Sequence, residues 1–239
     1  MTVWLGLAVF AGAALQRMTG LGFALVAAPM LVLLAGPFQG IVLANSLALI
    51  VAMVVLAMTW RDVDIDKLVR LAPAGVLGVF PGAIVAQLLP GGPLQVFVGS
   101  MILLGLGSVL LVARARFAPS LMTTVGTGLV SGFMTATAGV GGPALTTYAV
   151  ATRWDQKAFA ATSQCCFAAQ AVAALSLKGL PAIPAVGLSM LLGALLGGLL
   201  VGNYLAPWVG AALARQVVVM LALLGALGTV VRGVVAWSA

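Results

Sequence analysis

Two apolar runs in this 239-residue chain have lengths that no straight membrane crossing accommodates, and glycine interrupts both. They cover residues 3–35 and 121–150. As one helix the first would reach ~50 Å at 1.5 Å per residue, too long for ~30 Å of hydrocarbon even when tilted. Cut into two full spans, each leg would keep only about 14 residues, too few to cross. A re-entrant hairpin of two half-helices fits both runs, because irregular backbone at that depth is tolerated where it is packed in protein or lines a cavity. The interruptions are Thr19-Gly20-Leu21-Gly22-Phe23-Ala24-Leu25 and Ala138-Gly139-Val140-Gly141-Gly142-Pro143-Ala144-Leu145, about 120 residues apart. Broken helices at matching positions of two halves point to a transport site, since unwound backbone frees N–H groups to hold a solute.

Six further runs of about 20 residues, 38–58, 69–89, 94–113, 158–177, 185–206 and 216–235, are long enough to cross. With 63% hydrophobic and 6% charged residues, a soluble core of this size is excluded. The cations test the layout. Two hairpins and six crossings place Arg61, Lys67, Arg70, Arg114, Arg116, Arg153, Lys157 and Arg215 on one side, and Lys178 and Arg232 on the other. That eight-to-two split obeys the positive-inside rule, whereas eight plain crossings give a weaker seven-to-three. The expected fold is an all-α polytopic membrane protein of two inverted repeats, each a broken helical hairpin plus three transmembrane helices. Residues 1–113 form the first repeat, 114–120 a cytoplasmic linker and 121–239 the second. Both termini are expected outside the cytoplasm, with no removable signal peptide at Met1-Thr2-Val3-Trp4. The halves echo each other: Ala44-Asn45-Ser46 answers Ala161-Thr162-Ser163, and Gly78 with Gly82 answers Gly193 with Gly197. All five tryptophans fall near segment ends, as an interfacial belt requires.

The net charge of +7 reads as topology and lipid headgroup contact rather than nucleic-acid binding. Cys165 and Cys166 are adjacent, a poor geometry for a disulfide, and with no histidine in the chain neither a metal nor a cofactor is expected. The acidic residues, Asp62, Asp64, Asp66 and Asp155, all fall in predicted loops. An intramembrane carboxylate or imidazole, the usual proton carrier, is therefore not expected. The ordinary equipment of a membrane hydrolase is missing too, so an enzyme is not expected.

Arg17 stands at the first predicted tip without a buried acid, so an anionic substrate would supply its counter-charge through a planar guanidinium fork. The competing reading is that Arg17 caps its half-helix or reaches the membrane surface. Half-helices starting after Gly22 and Gly142 would aim N–H groups and a positive dipole end inward. Pro143 suits a helix first turn. The candidate substrate-binding residues are Arg17, Thr19, Gly20 and Gly22 at the first break and Thr137, Gly139, Gly141 and Gly142 at the second. Asn45 and Ser46 join them from one crossing, and Thr162, Ser163 and Gln164 from its counterpart. Each hydroxyl also has a bland role, bonding back to its own helix. Gly78, Gly82, Gly193, Gly197 and Gly198 read as helix-packing positions.

These residues together resemble the sulfite exporter TauE/SafE family, which includes 4-toluenesulfonate uptake permeases. The resemblance rests on Gly20-Leu21-Gly22 with Pro29, Val42-Leu43-Ala44-Asn45-Ser46, the basic stretch Arg61 to Arg70, and Gly75 to Pro90. In the second half it rests on Gly139-Val140-Gly141-Gly142-Pro143, Ala161-Thr162-Ser163 and Gly187 to Pro207. Phe23 and Ala24 depart from the family's fuller glycine run. The resemblance implies movement of sulfite, sulfonates or related sulfur-containing anions across a bacterial inner membrane. Export by alternating access is the expected mode. A passive anion channel, a carrier of another small anion such as a short carboxylate, and an assembly subunit are the alternatives. The expected partners are a small anion and the lipid bilayer, with homo-oligomerisation left open.

Overall fold

The computed structural model describes residues 2–19, 22–112 and 120–238. They form ten α-helices, and no strand occurs among the described residues. The run 3–35 is α1 (Thr2–Thr19) and α2 (Gly22–Ala35), and the run 121–150 is α6 (Leu121–Ala138) and α7 (Gly142–Thr152). The six long runs become α3 (Pro37–Thr59), α4 (Ile65–Leu88), α5 (Gly91–Val112), α8 (Gln156–Lys178), α9 (Ala185–Leu205) and α10 (Ala211–Ser238). Both breaks therefore fall where glycine interrupts the apolar pattern. The legs α2 and α7, of 14 and 11 residues, are about 21 and 17 Å long, short of the ~30 Å hydrocarbon thickness. Gly20 and the linker residues 114–119 lie outside the described residues.

Polar side chains cap the starts of α4, α6 and α8. Ser120 caps α6 through a reciprocal box with Thr123. The acids lie in the connections the sequence suggested, at helix starts, and only Asp66 falls inside an α-helix. Asp64 accepts from the Lys67 N–H at the N-cap of α4, and Asp155 accepts from Lys157 and Ala158 at the N-cap of α8. Asp66 sits in the first turn of α4 and Asp62 in the 3-10 turn before it. Carboxylates there complement the positive helix end and satisfy its orphan N–H groups.

Each hairpin packs against a long helix of the other half. Along α1 and α9, Gly198 meets Phe10 and Gly202 meets Ala14, so the two helices run parallel. In the other half α6 runs parallel to α4, with Gly128 on Leu71 and Phe133 on Gly82. The approach is closest at Gly132, where a Cβ would fall 1.8 Å from the Gly75 carbonyl oxygen. Such contact is available only to glycine and lets dispersion act between backbones. The packing reading of Gly78, Gly82 and Gly198 agrees with these contacts, whereas Gly193 faces open space. Further contacts join α2 to α10, α7 to α5, α5 to α10 and α3 to α8. Outside this framework α4, α9 and α10 expose Leu77, Phe80, Leu88, Leu196, Leu200, Leu224 and Val231. Trp4, Trp60, Trp208 and Trp237 are exposed, but Trp154 is tucked against Tyr148 and Phe159.

Candidate functional site

One cavity lies where both helix breaks meet α3 and α8. From the first break it receives Gln16, Phe23, Ala24 and Leu25, and from the second Thr135, Gly139, Val140, Gly141 and Gly142. Asn45, Ala48 and Val51 of α3 and Gln164, Phe167 and Ala171 of α8 complete the wall. It offers about 40 Å³ to the centre of a water-sized sphere, room for about three waters or one small oxyanion. No charged side chain is among its lining residues.

The second break is the more sharply built. Gly139 adopts the left-handed conformation (φ 70°, ψ 11°), and its N–H reaches the Thr135 carbonyl at 3.0 Å to close α6. A Cβ at Gly139 would also come within 2.9 Å of the Ala44 Cβ, so the turn wedges against α3. Ser131 Oγ donates to the Gly141 carbonyl at 3.0 Å. Gln170, fully buried on α8, accepts from Thr135 Oγ1 at 2.8 Å and donates to Ser131 Oγ at 3.2 Å. This network fixes the turn and points α7's start at the cavity. The N-cap of α7 is Gly141, which has no side-chain bond to cap the helix, and Pro143 occupies its first turn. Beside it Gln164 is 1% exposed, and its Nε2 has no partner among the described residues. A buried amide left unpaired costs about 1–3 kcal/mol. Uncapped helix N–H groups and an unpaired amide nitrogen are the donors an anion needs.

The first break is organised differently. Gln16 Oε1 accepts the Phe23 N–H at 2.9 Å, so a side chain already satisfies the start of α2. Arg17, the next residue, is turned about 100° around α1 and is not among the lining residues. Parallel packing carries it to the end of α9, where its Nε donates to Asn203 Oδ1 at 2.9 Å in an exposed position. The sequence expectation of Arg17 as the cavity's charge thus differs from where the structure places it.

Of the other candidates, Asn45, Gly139, Gly141, Gly142 and Gln164 line the cavity, and Gly22 begins α2. Thr19, Ser46, Thr137 and Ser163 bond back to Leu15, Val42, Phe133 and Ala160 of their own helices. Thr162 Oγ1 accepts from the Asp64 N–H instead of facing the cavity. Sequence reasoning missed Gln16, Ser131 and Gln170, whose signal was a polar side chain in an apolar run near a break. It also missed Lys178, read only as a loop cation. Lys178 Nζ donates to the Ala136 carbonyl at 2.9 Å, in the last turn of α6. With the Asn45 amide turned so that each of its atoms has a partner, Asn45 Oδ1 accepts from Lys178 Nζ at 2.9 Å. Its nitrogen then donates to the Thr135 carbonyl at 3.1 Å.

Six helices among the described residues are long and apolar enough to cross a membrane, and with an internal cavity of mostly apolar lining that also presents Gln16, Asn45, Thr135 and Gln164 they define a multi-pass membrane protein with a solute-sized site. The chain belongs to the sulfite exporter TauE/SafE family, whose family model matches residues 4–229. Membership places it among membrane anion transporters, a class that works on a small anion in a lipid bilayer rather than by catalysis. No curated protein and no solved structure matches the chain.

Proposed function

We propose that this protein exports sulfite, sulfonates or related small sulfur oxyanions across the bacterial inner membrane by alternating access. The carrying observation is the pairing at the cavity of α7's uncapped N-terminus with the unpartnered Gln164 amide. Gly141 and Gly142 would offer backbone N–H groups, and Gln164 and Asn45 would offer side-chain amides. A tetrahedral or pyramidal oxyanion has acceptor oxygens enough to engage several at once.

Alternating access is supported by the exchanged packing of the two halves. Contact of α1 with α9 is answered by contact of α6 with α4, and α2 on α10 by α7 on α5. Such reciprocity is what inverted repeats would produce, with both hairpins re-entrant and both termini periplasmic. One set of elements would then rock about the glycine-lined α4–α6 and α1–α9 seams. The test is sulfite flux into and out of proteoliposomes. Saturable flux with counterflow that is lost in Gly141→Leu supports the reading, while undiminished flux in that variant rejects the site.

A further inference from the structure

We infer that Lys178 is the fixed positive charge of this transport site, its ammonium neutralised by the anion that occupies the cavity. The inference rests on the anion-transport reading above and names the residue that gives that site its sign. Lys178 ends α8 and is partly buried between the C-terminal turn of α6 and Asn45 of α3. Its two oxygen partners, the Ala136 carbonyl and Asn45 Oδ1, are neutral. Asn45 lines the cavity and is 0% exposed, so the ammonium stands one hydrogen bond behind the wall.

No carboxylate is near it. Asp62, Asp64 and Asp66 gather where the α3–α4 turn meets Thr162, and Asp155 caps the opposite end of α8, about 35 Å away along the helix. The one ion pair among the described residues, Lys67 with Asp64, is at that far end. From the elements packed around Lys178, α3 and α6 present no titratable side chain. The ionisable residues of α4, Asp66, Lys67 and Arg70, lie at the end away from Gln87, the residue that bonds Leu177. On α8 the remaining ones, Lys157, Cys165 and Cys166, are at least three turns off, and α7 and α9 hold only Tyr148 and Tyr204.

A cation taken from water without a counter-ion is costly, and an occupant of opposite charge removes that cost. A neutral solute of the same shape would not. Capping of α6 by Lys178 is also a structural contribution, and Lys178→Gln separates the two, since its amide still donates to Ala136 without a charge.

The experiment measures binding of methanesulfonate, whose charge is constant with pH, to the purified full chain in detergent. Lys178→Gln and Lys178→Met are expected to weaken binding by about tenfold to a hundredfold, and Lys178→Arg to retain it. Wild-type binding is expected to weaken at alkaline pH as the ammonium loses its proton. Lys178→Arg should resist that loss and Lys178→Gln should show no such dependence. Wild-type affinity and pH profile in Lys178→Gln would overturn the inference alone. Absence of methanesulfonate, sulfite and sulfate binding to the wild type would overturn the transport reading beneath it.

Discussion

The Thr162 hydroxyl accepts a hydrogen bond from the Asp64 backbone N–H at 2.9 Å, joining the start of α8 to the N-cap of α4. That corner is also where α3 ends, and at the opposite end of α8 Lys178 reaches Asn45, near the start of α3. α3 and α8 are thus antiparallel, and each Ala-x-Ser element lies beside the far end of the other helix. Thr162→Val leaves the Asp64 N–H without its partner, and a lost bond of this kind is worth about 1 kcal/mol. A lowered thermal midpoint in Thr162→Val, restored in Thr162→Ser, is the expected outcome. An unchanged midpoint in Thr162→Val would show that the bond adds nothing.

Asp64 gives the same corner a pH dependence. Partial burial by itself raises its pKa. The Lys67 side chain and backbone N–H and the Lys67 charge outweigh it and hold the carboxyl below the ordinary aspartate value. A folded-state value below the unfolded one gives stability that is complete above the unfolded pKa, about 3.9, and is lost as pH falls through the folded value. The thermal midpoint should therefore drop on acidification below about pH 4. Asp64→Asn should retain the N-cap and lose part of that acid sensitivity. Parallel midpoint-against-pH curves for both proteins would refute this.

Gly141 tests the second break. A Cβ there would fall 2.2 Å from Thr135 Oγ1 and 2.8 Å from the Ser131 carbonyl, so the buried Ser131–Thr135–Gln170 network must move. Overpacking of this kind costs about 1–3 kcal/mol. Gly141→Ala should lower both the thermal midpoint and sulfite flux. Gly126→Ala, on the same helix pair but with nothing within 4 Å, should leave flux intact and raise stability by about 0.5–1 kcal/mol. Equal behaviour of the two variants would argue against a special role for the turn.

The breaks and spans were legible in the sequence because glycine and run length speak directly about backbone. The cavity also lies where both breaks meet the helices of Asn45 and Thr162, the two crossings the sequence offered. The facing of single side chains was not legible. Arg17 and Gln16 are neighbours, yet Gln16 lines the cavity and Arg17 bonds Asn203, a choice made by which side of α1 packs on α9. Lys178 looked like a loop cation because it falls just past the end of its apolar run. Only the antiparallel crossing of α3 and α8 brings it beside Asn45. The hydroxyls of Thr19, Ser46, Thr137 and Ser163 satisfied themselves locally, an outcome that spacing alone does not distinguish from lining a cavity.

Gln164 separates binding from folding more cleanly than any other lining residue. Its buried Nε2 lacks a partner in the protein, so removing it takes away a cost instead of a bond. Gln164→Leu, of similar volume, should leave the thermal midpoint unchanged or raise it by the relief of about 1–3 kcal/mol of unpaired burial. The same change should abolish stabilisation of the protein by sulfite or methanesulfonate, because the oxyanion loses a donor within the cavity. Gln164→Glu adds a like charge and should reject anions at neutral pH, with binding partly recovered on acidification as the carboxyl becomes a neutral donor. A purely structural Gln164 gives the opposite signature: a destabilised Gln164→Leu whose remaining folded fraction binds the anion as tightly as the wild type.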